Sequence, residues 1–138
     1  MSFPENCIRG IPNDDYLTPD GPVGSHLFHF KLENSVDGWF QTSINWEDDD
    51  SAIALTLEQK KPDGTLQFKA GVAIVPTDEI DRLSKRPTVR GLLSYERRPL
   101  PDNPFHGNLL LNERTSKATM KLIAAGLALA ISRIIPRA

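Results

Sequence analysis

Residues 115–136 constrain the fold most, because they form the longest segment with a helical pattern of apolar side chains. Residues 118–135 contain no proline and one glycine, and most of them favour the helical state. Thr115 and Ser116 offer hydroxyl oxygens for the helix N-terminus, and Pro136 is expected to end the helix. The sequence therefore predicts a long C-terminal helix over residues 118–135.

This predicted helix carries apolar side chains on two sides. At about 100° per residue, one stripe has the pattern of a side that packs on a core. Its members are Met120, Ile123, Ala124, Leu127, Ile131 and Ile134. Leu122 and Leu129 fall on nearly the opposite side. We expect the first side to cover a β-sheet and the second to meet another part of the chain or a partner subunit.

The same segment is short for a membrane span. Its uninterrupted apolar run, residues 122–131, is bracketed by Lys121 and Arg133. A spanning helix needs about 20 apolar residues, and shorter runs are typical of core helices. We therefore expect a buried helix and no membrane contact.

Length and cysteine content point to one ordinary domain. A chain of 138 residues is long enough to bury a core without disulfides. Cys7 is the single cysteine, which excludes an intrachain disulfide and fits a reducing compartment. Residues 1–6 lack the basic and apolar regions of a secretory signal. We expect a cytoplasmic protein, and no motif predicts a cofactor.

The formal net charge of −2 hides an uneven distribution along the chain. Residues 1–81 hold five basic and fifteen acidic residues, whereas residues 82–138 hold eleven basic and three acidic ones. Such asymmetry can indicate an anionic partner for the basic part. The alternative, which we favour, is that both parts contribute to one mixed surface.

The N-terminal 25 residues differ in composition from the rest of the chain. They contain four prolines and three glycines, which lack a backbone donor or lose more conformational freedom on folding. We predict an irregular N-terminal arm over residues 1–25, followed by a single α+β domain over residues 26–138.

Six segments after this arm are predicted as strands, because they alternate apolar and polar side chains or are short and apolar. They are residues 26–32, 39–46, 52–59, 65–75, 88–97 and 105–112. The turn signal at residues 60–64 predicts an antiparallel hairpin between the third and fourth segments. A short helix is predicted over residues 78–85, ended by Pro87.

Because most of these strands follow one another without a helix, parallel crossovers are disfavoured and the predicted class is α+β. We expect an antiparallel sheet of about five to six strands packed against the long C-terminal helix, with one short additional helix.

No metal site is predicted. His26, His29 and His106 lack the spacing of a zinc motif. The acidic run over residues 47–50 lacks the spacing of a calcium loop, so a solvated turn is expected there.

The densest group of polar side chains lies on a proline-rich loop, residues 96–108. Loops on a rigid scaffold often carry functional residues. His106 together with Glu96 or Asp102 could act as an acid or base near neutral pH. These three residues are the candidate catalytic groups.

The same loop could hold an anion. Arg97 and Arg98 carry guanidinium groups that match phosphate or carboxylate, and Asn103 and Asn108 add amide groups. These four residues are the candidate ligand-binding groups. A purely structural role for the loop is the leading alternative. The sequence offers no serine in a nucleophile motif and no histidine near Cys7 to support catalysis.

Four basic residues cluster around the predicted short helix, namely Arg82, Lys85, Arg86 and Arg90. Such clustering is the electrostatic pattern of nucleic-acid contact. The aromatic residues of a single-strand binding platform are missing from this segment.

Three functions therefore remain open. The first is a small binding or adaptor protein that self-associates, or meets a protein partner, through Leu122 and Leu129. The second is an enzyme or anionic-ligand-binding protein that uses residues 96–108. The third is nucleic-acid contact through residues 82–90.

Overall fold

The structure is a computed structural model that describes residues 3–17, 25–30 and 39–137. Within them the strands are β1 (Asn6–Ile11), β2 (Phe40–Trp46), β3 (Gly71–Pro76), β4 (Leu93–Arg97), β5 (His106–Leu111) and β6 (Arg133–Pro136). The helices are α1 (Ser51–Glu58), α2 (Thr77–Ser84) and α3 (Lys117–Ala130). The predicted α+β class and antiparallel sheet are confirmed.

The six strands have the order β4-β5-β2-β1-β3-β6, and all neighbouring pairs are antiparallel. β1 pairs with β3 over six residues, and β2 pairs with β5 over six. In contrast, β1 and β2 share only two pairs, Cys7 with Trp46 and Ile8 with Asn45. The sheet is therefore split at its centre, where β1 and β2 part after two pairs.

Successive side chains of a strand point to opposite faces of the sheet. Cys7 and Val75 enter a large core on one face, whereas Ile8 and Val72 enter a smaller core on the other. Helices α2 and α3 and residues 25–30 cover the large core, and α1 covers the small one. Both faces of the central strands are buried.

Helix α3 confirms the predicted core stripe and the predicted N-terminus. The Ser116 Oγ accepts a hydrogen bond from the Thr119 backbone amide at 3.1 Å. Leu127 is fully buried against the large core, whereas Leu122 is 62% exposed and Leu129 is 88% exposed. The helix thus covers the sheet with one side and leaves two leucines of the opposite side uncovered by the described residues.

The predicted length of this helix is too great. Helix α3 ends at Ala130, and residues 133–136 form β6 beside β3. Residues 131–135 include three isoleucines. Branching at Cβ favours strands over helices, and pairing with β6 also satisfies the backbone groups along this edge of β3.

The third predicted strand, residues 52–59, is wrong, because α1 occupies this segment. The Asp49 carboxylate accepts hydrogen bonds from the Ser51 amide at 2.8 Å and from its hydroxyl. Ala52 and Thr56, four residues apart, are both buried. In a short apolar run, alternation with period two does not distinguish a strand from a helix when residues of both alternating sets pack on a core.

The predicted hairpin is also wrong, because its first strand is replaced by helix α1. Its second strand, predicted over residues 65–75, begins only at Gly71. The turn at residues 60–64 is present, but Lys60 and Leu66 make only an isolated bridge. Residues 67–70 instead cross towards β1, where the Ala70 amide donates to the Ile11 carbonyl at 3.1 Å.

The predicted irregular arm over residues 1–25 is wrong for residues 6–11, which form the central strand β1. Pro4 and Pro12 flank this strand and so remove no hydrogen bond from its ladder. The strand predicted over residues 26–32 is also wrong where it is described. Residues 25–27 form a single 3-10 turn, and residues 28–30 are in no strand.

The other predicted elements are confirmed with adjusted ends. They are β2, β5, α2 and a shortened β4, which begins at Leu93 because Gly91, with φ 80°, ends a turn that follows α2. The predicted solvated turn over residues 47–50 is present. The rest of the predicted 26–32 strand lies outside the described residues. No described helix has the length and apolar content that a bilayer crossing requires.

The burial of α3 gives a matched test of stability. We expect Leu127→Ala to lower the free energy of unfolding by about 2–5 kcal/mol, because it leaves a cavity in the core. Leu129→Ala, two residues away on the exposed side, should change it by less than about 0.5 kcal/mol. Urea denaturation followed by circular dichroism measures both. Equal losses would contradict the assigned orientation of the helix.

Candidate functional site

The predicted ligand-binding residues Arg98 and Asn108 both contact Glu96. The Arg98 Nε lies 2.9 Å from one carboxylate oxygen of Glu96, and Asn108 Nδ2 donates to the same oxygen at 2.9 Å. Glu96 and Asn108 stand directly opposite each other on β4 and β5, where cross-strand side chains meet. The three residues form one polar cluster on the sheet.

Arg97 is engaged in a different ion pair. Its two terminal nitrogens donate to both oxygens of Asp48, at 3.0 Å and 2.6 Å. This bidentate contact raises the pKa of Arg97. The guanidinium also lies 5.8 Å from the centre of the Phe3 ring. Arg97 thus ties β4 to the acidic turn after β2.

Asn103 belongs to a buried network of amides rather than to an open site. Its Nδ2 donates to the Asn45 Oδ1 at 2.8 Å. Asn45 in turn donates to the Thr56 hydroxyl at 2.7 Å and to the Gln59 Oε1 at 2.9 Å. The network joins the loop to β2 and α1. Asp102, the neighbouring candidate, is exposed.

His106 lies at the start of β5 and lines a cavity of about 210 Å³ under α1. Its Nδ1 is 2.8 Å from the Arg98 carbonyl oxygen. Among the described residues, no hydrogen bond or ion pair joins any two of His106, Glu96 and Asp102. A catalytic role for these three residues stays a prediction.

Gly107 provides room for another side chain. A side chain at this position would overlap the Trp46 ring and the Glu96 carbonyl. Its absence lets the Trp46 Nε1 donate to the Glu96 carbonyl at 3.1 Å. Gly107 therefore permits close packing within the protein.

A larger cleft, of about 810 Å³, lies where β1 and β2 diverge. Arg9 crosses the gap between these strands. Its Nε donates to the Leu27 carbonyl at 3.0 Å, and its Nη1 donates to the Ser43 carbonyl at 2.7 Å. Backbone carbonyls of residues 25–30 and of β2 are thus joined through one side chain of β1.

The described walls of this cleft carry positive charge and no carboxylate. Its lining residues are Arg9, Pro12, Tyr16, His26, His29, Gln41, Thr42, Ser43, Lys61, Gln67 and Phe68. Arg9 and Lys61 are permanent cations at neutral pH. Tyr16 and His26 stack with ring centres 4.6 Å apart. The cleft combines cationic groups with aromatic surfaces.

Arg9 has no carboxylate partner among the described residues. The ion pairs there join Arg82 with Glu79, Arg97 with Asp48 and Arg98 with Glu96. Burial lowers the pKa of the Arg9 guanidinium to about 10, which leaves the group charged at neutral pH. A partly buried cation therefore faces the cleft, and residues 3–17, 25–30 and 39–137 supply no anion to match it.

The large cleft and the small cavity adjoin, since Ser43, Gln67 and Phe68 line both. The Phe68 ring lies against Gly10 of β1, where any side chain would overlap it. Arg137, after β6, donates to the Phe68 carbonyl at 3.0 Å. Phe68 is thus held as a shared wall between the two spaces.

The remaining candidate groups lie elsewhere. The four basic residues predicted for nucleic-acid contact are exposed on α2 and the following turn: Arg82, Lys85, Arg86 and Arg90. That contact stays a prediction. Cys7 is fully buried, and burial raises its pKa to about 12. The described residues contain no group of His, Cys, Asp and Glu arranged to hold a metal ion.

Sequence reasoning missed Arg9, because it was assigned to an irregular arm. Cys7, Arg9 and Ile11 occupy alternate positions of one strand, and the two apolar residues join the large core. A lone charged residue between two core positions is the signal that could have identified Arg9. It becomes informative only once residues 6–11 are recognised as a strand.

Comparisons of the chain with protein-family models, with curated proteins and with solved structures found no match.

The amide network gives a test at the loop itself. We expect Asn103→Ala to lower the free energy of unfolding by about 1–3 kcal/mol, because it removes the donor to the buried Asn45 oxygen. Asp102→Ala, at the exposed neighbouring position, should change it by less than about 0.5 kcal/mol. Denaturant unfolding compares the two. A loss at Asp102 as large as that at Asn103 would contradict the structural role of the network.

Proposed function

We propose that this protein binds a small organic anion, a phosphate or a carboxylate, in the cleft between β1 and β2. The observation that carries the proposal is Arg9, a partly buried cation that lines the cleft and has only backbone carbonyls as described partners. The proposal keeps the anion binding expected from the sequence but moves it from residues 96–108 to the cleft.

A buried charge is costly unless an opposite charge or hydrogen bonds compensate for it. The two carbonyls accept hydrogen bonds from Arg9 Nε and Nη1, but they carry no net charge. A guanidinium presents five N–H donors in a fork that matches two oxygens of an oxyanion. A bound oxyanion would supply a negative charge that the described part of the chain does not place at Arg9, and Lys61 at the rim would attract it.

The size and surface of the cleft favour an organic anion over an inorganic one. Sites for small molecules typically enclose about 300–1,000 Å³, and this cleft of about 810 Å³ lies within that range. Inorganic phosphate would leave most of it unfilled. Tyr16, His26 and Phe68 offer ring surfaces, against which a planar or apolar body can pack.

Phenyl phosphate is a suitable first probe, because it joins an oxyanion to a planar ring. We expect it to bind the wild-type protein in a calorimetric titration. Arg9→Met should weaken binding about tenfold or more, as expected for loss of charge-assisted hydrogen bonds. Lys61→Met should weaken it less, because this side chain is exposed.

Arg82→Met is the matched control, since it removes an exposed cation of α2 that does not line the cleft. Benzyl alcohol, which has the ring without the charge, should bind more weakly than phenyl phosphate. Because Arg9→Met also removes two structural hydrogen bonds, circular dichroism must show that the variant is folded. Equal binding to wild type, Arg9→Met and Lys61→Met would refute the proposal.

Self-association is a second candidate property, supported by the exposure of Leu122 and Leu129 on one side of α3. We expect the wild-type protein to form a homo-oligomer and Leu129→Glu to shift it towards the monomer, because the substitution places a charge in an apolar contact. Lys121→Glu on the same helix is the control. Analytical ultracentrifugation decides: a wild-type monomer at high concentration would exclude this candidate.

A further inference from the structure

His106 lines the small cavity, and one of its two ring nitrogens is held by a backbone carbonyl. Its Nδ1 lies 2.8 Å from the Arg98 carbonyl oxygen, and a carbonyl can only accept a hydrogen bond. Nδ1 therefore carries the proton in the neutral ring, and Nε2 carries a lone pair. The described residues make no hydrogen bond to Nε2. The His106 side chain, which lines the small cavity, thus retains Nε2 as a hydrogen-bond acceptor.

Most hydrogen-bonding groups of the neighbouring amide side chains Asn45 and Gln59 are already paired within the protein. Both the amide nitrogen and the oxygen of Asn45 are engaged within the protein. Gln59 uses its oxygen to accept from Asn45, so its own amide nitrogen is left as a donor at the cavity wall. The cavity therefore has an acceptor on His106 and a donor on Gln59, beside the polar side chains of Ser43 and Gln67.

The position of the small cavity connects it to the anion site. Ser43, Gln67 and Phe68 border both spaces, so a ligand that reached from Arg9 to His106 would lie against these three residues. The small cavity, at about 210 Å³, is below the usual size of an independent ligand site. Its size fits one end of a longer ligand.

We infer that the ligand of the cleft is an organic oxyanion whose other end carries an N–H group, and that His106 Nε2 accepts a hydrogen bond from this group in the small cavity. The inference rests on the proposed anion site and adds the ligand class. His106 is then a specificity-determining residue, and Gln59 can donate to an adjoining carbonyl oxygen of the ligand.

Uridine monophosphate and its N3-methyl derivative test the inference as a matched pair. Both carry the phosphate, but only the first has an N–H beside carbonyl oxygens on its ring. We expect wild type to bind uridine monophosphate about two- to tenfold more tightly, the usual contribution of one hydrogen bond. His106→Ala should abolish this preference by weakening the binding of uridine monophosphate.

Leu100→Ala controls for size, because Leu100 also lines the small cavity. If the preference arose from a clash with the methyl group, Leu100→Ala would reduce it by strengthening the binding of the methylated nucleotide. That result would overturn the inference. The matching uridine carboxylate, titrated in parallel, shows which oxyanion the Arg9 end accepts, and the dependence on His106 is expected with either.

Failure of the anion site and failure of this inference have different signatures. If neither nucleotide nor phenyl phosphate binds, or if Arg9→Met leaves their binding unchanged, the anion site itself is refuted. If both nucleotides bind in an Arg9-dependent way with equal affinity, only the inference fails. It also fails if the preference survives in His106→Ala.

Discussion

The contacts of Arg9 hold the two halves of the sheet together where direct strand pairing stops. β1 and β2 pair only through Cys7 with Trp46 and Ile8 with Asn45. Beyond this point the guanidinium replaces ladder hydrogen bonds by donating to one carbonyl of β2 and to that of Leu27. A cation in this position closes the split structurally, and its charge gives the cleft its chemical character.

On the other face of the sheet, hydrogen bonds between neutral side chains hold the elements together beside the split. The amide network from Asn103 through Asn45 to Thr56 and Gln59 joins three elements that no strand ladder connects directly. Asn45, Thr56 and Asn103 are buried and hydrogen-bonded within the protein, a condition under which polar networks specify a single packing arrangement. The network therefore favours one arrangement of the cavity wall beside His106. A ligand that bound there would have to order fewer protein side chains, so binding would cost less conformational entropy.

The sequence predicts well where one periodicity dominates and poorly where contacts between distant segments decide. The buried side of α3 around Leu127 follows from its helical spacing. Residues 51–58 alternate in hydrophobicity yet fold as a helix, because both sheet faces need covering. The prolines and glycines that predict an irregular arm include Pro4 and Pro12, which flank β1, and Gly10, which lies within it. Arg9 acquires its role from Ser43, 34 positions away, which no local pattern reveals. The polar loop identifies His106 as a candidate from the sequence, but the cavity beside it is formed by residues distant in the chain and is not predicted.

The fit of Phe68 against Gly10 means that the partition between the two cavities depends on a missing side chain. An added methyl group on that strand would displace the ring without altering any charge or hydrogen-bonding group nearby. The boundary between the two spaces could thus be moved by changing apolar bulk at Gly10 alone.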